Sequence, residues 1–147
     1  MIPLQIPRVF IDTNALVDMM MPSRSGHPYA QRIFHVIATR SIRGFITTQS
    51  IIDASYILTQ RNKVSLEVFK RAVHAMHGTI EWLSIEPEDI DRAIRFDLPD
   101  FEDAAQLSCA LDNGCDYIIS SDRKYCRYTD LPVYTPAEFC DLLFGQD

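Results

Sequence analysis

Short apolar blocks alternate with amphipathic stretches along this chain, and the two patterns read in turn as strands and helices. Arg8–Ile11 is a brief apolar, β-rich run that polar residues stop abruptly at Asp12. From Asn14 to Met21 the apolar spacing becomes helical and Pro22 closes it. Ser23–Pro28 is turn-rich, and a second helix is expected over Tyr29–Thr39, with Ile33, Phe34, Val36 and Ile37 on its inner face. Gly44–Thr47 predicts the next strand, and Thr48 the N-cap of a helix that contains Asp53 and reaches Leu58. A helix over Ser65–Met76 stopped by Gly78, a strand over Ile80–Ile85 and a helix from the acidic Glu86–Asp89 segment to Phe96 follow. The remainder predicts a helix from Asp100 to Asn113, strands over Asp116–Ser120 and Pro132–Tyr134, and a closing helix over Pro136–Phe144. This alternation predicts an α/β sandwich with a parallel sheet.

The 147 residues fit one domain, 1–147, on the usual scale of about 100 to 200 residues per domain. With 47% hydrophobic and 23% charged residues the composition is that of a folded core, not of disorder. Twenty acidic residues against 14 basic ones give a formal charge of -6, so no global positive field draws the chain to nucleic acid. Any such contact has to be local or assisted by a cation. Cys109, Cys115, Cys126 and Cys140 are too sparse for a disulfide framework and lack zinc-knuckle spacing, which leaves free thiols in a reducing cytoplasm. Met1–Pro7 has no basic region ahead of an apolar stretch, unlike a secretory signal, and no uncharged apolar run approaches the roughly 20 residues of a membrane helix.

In a parallel α/β sheet, sites form beyond the carboxyl ends of the strands near a topological switch point. Asp12 directly follows the first strand, and Asp122 stands two residues after the strand ending at Ser120. Asp53 and Asp103 lie on helices that follow loops at the same edge. Singly, each is explained as a turn cap or a helix N-terminal acid. Gathered, they need compensation, since two unit charges about 4 Å apart repel by roughly 4 kcal/mol at an effective dielectric near 20. Raised pKa values, basic partners or a divalent cation would supply it. No Lys or Arg adjoins Asp12, Asp53 or Asp103, although Arg123 follows Asp122. An all-oxygen acidic site suits Mg²⁺ or Mn²⁺ and phosphodiester hydrolysis.

The glycines at 26, 44, 78, 114 and 145 are too scattered for a dinucleotide fingerprint or a P-loop, and no G-x-S-x-G elbow exists. His74 and His77 share a helix face without a third ligand and read as a solvated helix end. Trp82 reads as core or half-buried packing. Arg24, Arg123, Lys124 and Arg127, with Arg61 and Lys63 behind them, are the candidate phosphate contacts.

These residues resemble the PIN-domain ribonucleases, and within them the VapC-like toxins of toxin–antitoxin pairs. Val9-Phe10-Ile11-Asp12-Thr13-Asn14 is similar to the opening family motif, whose acid ligates metal and whose Thr-Asn pair orders the turn. Thr47–Ser50 through Asp53–Leu58 resembles the segment of the second acid, and Asp100–Gln106 with Gly114–Asp122 resembles the third and fourth motifs. Leu131–Phe139 is similar to the last strand and helix. Two positions depart from the pattern. Asp53 stands where the family usually has Glu, one methylene longer, and either reaches metal through water or is a polar residue of its helix. Ser120 replaces the usual Thr and keeps the hydroxyl.

The resemblance implies a PIN-like three-layer sandwich and a divalent-metal-dependent ribonuclease. Asp12, Asp103 and Asp122 would bind Mg²⁺ or Mn²⁺, Asp53 would complete the acidic set, and Thr13, Asn14, Ser120 and Asp100 would support it. Asp100 and Glu102 themselves read first as partners of the helix dipole. The resemblance further implies an RNA substrate cut to 5′-phosphate and 3′-hydroxyl ends, a homodimer and a small antitoxin. The rival readings are an inactive PIN scaffold that binds RNA or protein, and a phosphatase using Asp12 as nucleophile. The second lacks the required acid two places on, where Asn14 stands.

Overall fold

The computed structural model describes residues 5–122 and 128–145. Strand β1 (Arg8–Ile11) leads into helices α1 (Thr13–Met20) and α2 (His27–Ala38), then β2 (Arg43–Thr47) into α3 (Thr48–Tyr56) and a π-helical turn over Ile57–Arg61. Helix α4 (Leu66–Met76), β3 (Ile80–Leu83), α5 (Pro87–Arg95) and α6 (Phe101–Asp112) follow. Among the described residues, strands β4 (Tyr117–Ile119) and β5 (Val133–Tyr134) and helix α7 (Pro136–Phe144) come last. The five strands form one sheet in the order β3-β2-β1-β4-β5, with every pairing parallel.

Alternation within the strands builds two cores. Val9 and Ile11 face the side covered by α1, α2, α3, α4 and α7, where they join Leu16, Ile33, Leu58, Phe69 and Phe139. Phe10 points the other way and packs with Phe45, Leu107 and Ile118 under α5 and α6. The result is a three-layer sandwich around a parallel sheet: the alternation of strands and helices predicts the parallel sheet, and the resemblance implies the three layers. Helix α2 lies so close to β2 that a Cβ at Gly44 would come within 2.6 Å of Ile37 Cδ1. On the opposite face, buried Asp89 ties α5 to α6, accepting from Ser108 Oγ at 2.7 Å and from the Glu86 backbone at 2.8 Å.

Several boundaries move, each for a local reason. Thr47, not Thr48, caps α3, because its hydroxyl accepts from Ser50 N at 3.0 Å and Thr48 is already helical. The regular helix ends at Tyr56, two residues short of Leu58, and a π-helical turn continues it. Trp82 is 38% exposed on β3, a sheet-edge strand, where its ring meets the His77 ring edge-on at 5.0 Å.

The sheet order places the switch between β1 and β4: the chain moves from β1 outward through β2 and β3, then returns to the other side of β1. Ile11 pairs with Ile119 there, so the residues after both strands emerge side by side.

Candidate active site

Asp12 and Ser120 are the first residues beyond that crevice. Asp12 sits at the N-cap position of α1 but makes no side-chain cap bond. Its Oδ2 instead accepts from Ser120 Oγ at 2.8 Å and from Asn14 Nδ2 at 3.3 Å. Asn14 also receives the Ser121 backbone N–H at 3.0 Å, and Ser120 Oγ receives that of Asp122 at 3.0 Å. Four residues from the ends of two strands are thus locked around one carboxylate. Burial pushes the Asp12 carboxyl up to about 6; the bonds from Ser120 and the Thr13 N–H oppose the shift, and the charges of Asp103 and Asp122 add to it.

Asp103 arrives on the first turn of α6. Asp100 is the N-cap of that helix, accepting from Asp103 N at 3.0 Å, rather than a residue of its first turn. Asp53 projects from α3, with Gln49 Nε2 donating to its Oδ1 at 2.9 Å. Its Oδ2 is buried and has no hydrogen-bond donor. The neighbouring group is another carboxyl, Glu102, pushed up to about 7 by its hydrogen bond with Asp53, then by burial and by the charges of Asp53, Asp100 and Asp103.

A cavity of about 470 Å³ collects these groups: Asp12, Asp53, Asp100, Glu102, Asp103 and Asp122 line it together with Thr13, Asn14, Arg24 and Arg61. Ser120 lies fully buried beneath, bonded to Asp12. The four acids that the sequence singles out therefore share one site, as do Thr13, Asn14 and Asp100. Arg123, Lys124 and Arg127 lie outside the described residues.

Three features escaped the sequence reading. Glu102, taken for a dipole partner, faces Asp53 in the cavity. Tyr56 lines the same cavity, with the Arg61 guanidinium 5.5 Å from its ring centroid. The third is a buried polar circuit below the acids. Thr47 Oγ1 donates to Gln106 Oε1 at 3.0 Å, Gln106 Nε2 donates to Ser50 Oγ at 2.9 Å, and Thr13 Oγ1 donates to the same Ser50 Oγ at 2.8 Å. It joins the starts of α1 and α3 to α6, the helices that follow or carry Asp12, Asp53 and Asp103. Its signal in the sequence is Gln106 standing between Ala105 and Leu107 in an apolar helix. Gln106→Leu, which strands the Thr47 and Ser50 hydroxyls, is expected to cost about 1–3 kcal/mol in urea unfolding.

The sequence of residues 8–124 matches the PIN domain family. This chain belongs to that family. Ribonuclease VapC1 of Aquifex aeolicus (strain VF5) is 25% identical over 142 residues, which span 91% of this chain and 94% of that protein. The PIN fold here is similar to the crystal structure of Mycobacterium tuberculosis VapC20, a sarcin–ricin loop cleaving toxin, with a TM-score of 0.64, 14% identity and coverage of 84% of this chain and 98% of that one. It is also similar to Rickettsia felis VapBC2 bound to a DNA fragment from its promoter, with a TM-score of 0.66, 11% identity and coverage of 87% and 98%.

Whether the PIN cavity of this chain suits a cation follows from its own atoms. Among the described residues no three carboxylates stand as a ready-made coordination sphere. Yet Asp53 keeps a buried oxygen without a donor, and the Asp12 and Glu102 carboxyls are pushed up to about 6 and about 7. Burial raises the first of these carboxyls and contact with Asp53 the second, and the charges of neighbouring acids add to both. The donors are all hard oxygens, the set preferred by Mg²⁺ and Mn²⁺ over softer metals. The residues fit such an ion.

Proposed function

We propose that this chain is a divalent-metal-dependent endoribonuclease, the toxin of a toxin–antitoxin pair. The observation that carries the reading is one cavity at the β1/β4 switch that six carboxyl groups from separate elements line together. Asp12, Asp103 and Asp122 would hold Mg²⁺ or Mn²⁺, with Asp53 and Glu102 completing the acidic shell. A bound ion would supply acidification of a water and neutralisation of charge on the phosphate. The protein's part is to hold the acids in place. Ser120 and Asn14 orient Asp12, the Asp100 cap fixes the first turn of α6, and the Gln106 circuit ties that helix to the start of α3. Arg24 and Arg61 bring positive charge to the rim of the cavity for the RNA backbone.

The ribonuclease name of the Aquifex relative and the VapBC name of the Rickettsia structure support an RNA substrate and an antitoxin partner. A homodimer belongs to the same reading. Among the described residues no helix is long and apolar enough to cross a membrane. Cys109, Cys115 and Cys140 are buried and unpaired, in keeping with a cytoplasmic protein.

The test is cleavage of single-stranded RNA by purified, antitoxin-free protein. Cutting is expected in Mg²⁺ or Mn²⁺ and none in EDTA. The same ions are expected to raise the melting temperature. An ion bound only by the native state contributes about 2.7 kcal/mol at 100 times its dissociation constant, and each kcal/mol moves the midpoint by roughly 2–4 °C. RNA bound but uncut in either metal would favour an inactive scaffold, and no melting shift at millimolar metal would end the metal-site reading.

A further inference from the structure

Asp18 is a buried carboxylate with no place in the acid cluster. It stands four residues after Asn14, on the same face of α1, and its side chain is 5% exposed. Arg24 Nε donates to its Oδ1 at 2.5 Å and Ser121 Oγ to its Oδ2 at 3.3 Å. The loop between α1 and α2 is folded tightly over it. Arg24 N donates to Met21 O and His27 N to Arg24 O, both at 3.0 Å, and the His27 Nδ1–H donates to the Asp18 carbonyl at 3.0 Å. A Cβ at Gly26 would stand 2.4 Å from Asp18 Oδ2, so only glycine lets the loop close here without displacing the carboxylate.

The pair contributes little net stability, because the Asp18 charge is taken out of water while the Arg24 side chain stays 40% exposed and screened. What the pair provides is position. Arg24 lines the acidic cavity and also a neighbouring groove of about 570 Å³ that contains Tyr29, Ser121 and Thr135. A guanidinium without its own counter-ion beside six carboxyls would collapse onto them and compete with a cation. Bound through Nε to Asp18, it is kept at the boundary of cavity and groove. Its remaining N–H donors form the planar fork that matches two phosphate oxygens.

We propose that Asp18 is a positioning residue that holds Arg24 where it binds the phosphate next to the scissile one, with the RNA strand continuing into the Tyr29 groove. The proposal rests on the ribonuclease reading. It assigns the RNA's phosphate backbone to a contact made outside the acid cluster.

The experiment measures kcat, KM and the salt dependence of RNA cleavage, with the metal-induced melting shift, in wild type, Arg24→Ala, Arg24→Lys, Asp18→Asn and Gly26→Ala. Loss of one charged phosphate contact should raise KM roughly ten- to a hundredfold. It should leave kcat nearly unchanged, because the contact is made equally in the ground and transition states. The slope of log kcat/KM against log salt should fall by about 0.7 in Arg24→Ala. Arg24→Lys should recover only part of the KM. Asp18→Asn and Gly26→Ala should raise KM although Arg24 is present, and Gly26→Ala does so without changing any charge. All variants should keep the wild-type metal shift. Wild-type KM and salt slope in Arg24→Ala would overturn the proposal. So would a lost metal shift in Asp18→Asn or Gly26→Ala, which would mean that Asp18 serves Asp122 through Ser121. A wild-type protein that cuts no RNA would instead bring down the ribonuclease reading itself, and this proposal with it.

Discussion

Asp12→Asn is expected to lower RNA cleavage by orders of magnitude and, in metal-free protein at pH 8, to raise the melting temperature. The first effect follows from removing a charge that the cation requires. The second follows from burial: the ionised carboxylate is held among other acids away from water, and its neutral isostere is not. The Asn carbonyl can still accept the Ser120 hydroxyl, so the crevice between β1 and β4 stays closed. Asp103→Asn is expected to follow the same pattern, and there the sign is diagnostic. An acid that merely favours the first turn of α6 contributes about 0.3–1 kcal/mol, so its loss would lower stability and spare cleavage. Melting in EDTA and cleavage in Mg²⁺, measured on both variants, check this. A destabilised apo protein that cuts RNA at the wild-type rate would show that the acid belongs to the helix and not to the site.

The parts of this protein that sequence reveals are those set by local rules. Val9, Phe10 and Ile11 alternate between two cores, which makes β1 a strand buried on both faces, and a polar stop after such a strand puts Asp12 at the carboxyl edge. Helix α5 is equally local and begins where its proline and acids indicate, as α7 does at Pro136. What sequence concealed depends on distance in the chain. Thr47 outcompetes Thr48 as cap because the last residue of β2 is still extended, so only its hydroxyl can turn back to Ser50. Glu102 looks like a dipole partner until α3 brings Asp53, 49 positions earlier, against it. Asp53 on α3 and Glu102 on α6 thus form one carboxyl pair in the cavity. Asp18 and Arg24 are six residues apart, yet their pairing depends on a loop closure that Gly26 permits and no periodicity announces.

The metal-free protein is expected to lose stability as pH rises from about 4 to about 7, the reverse of ordinary acid denaturation. Asp12 has a folded-state value of about 6 against an ordinary 3.8, and Glu102 about 7 against 4.5. Within those windows the folded state binds more protons than the unfolded chain, so the linkage slope is negative and stability falls with increasing pH. Above the folded-state values the loss is complete, and below the unfolded ones it vanishes. For Asp12 that difference corresponds to about 3 kcal/mol. Glu102 is more exposed to solvent and contributes less. The clean measurement is the difference in unfolding free energy between wild type and Asp12→Asn across pH 4 to 8 in EDTA, in which other titrating groups cancel. That difference should be small near pH 4 and grow in favour of the variant up to about pH 6. Divalent metal should invert the wild-type profile, because an ion binds the ionised acids and expels their protons. The metal-induced melting shift is therefore expected to be weak at pH 5 and large at pH 7.5, with proton release measurable by calorimetry in buffers of different ionisation enthalpy. A wild-type-to-variant difference that stays constant with pH would mean that Asp12 is ionised throughout, and that the cluster carries no unmet demand for a cation at that residue.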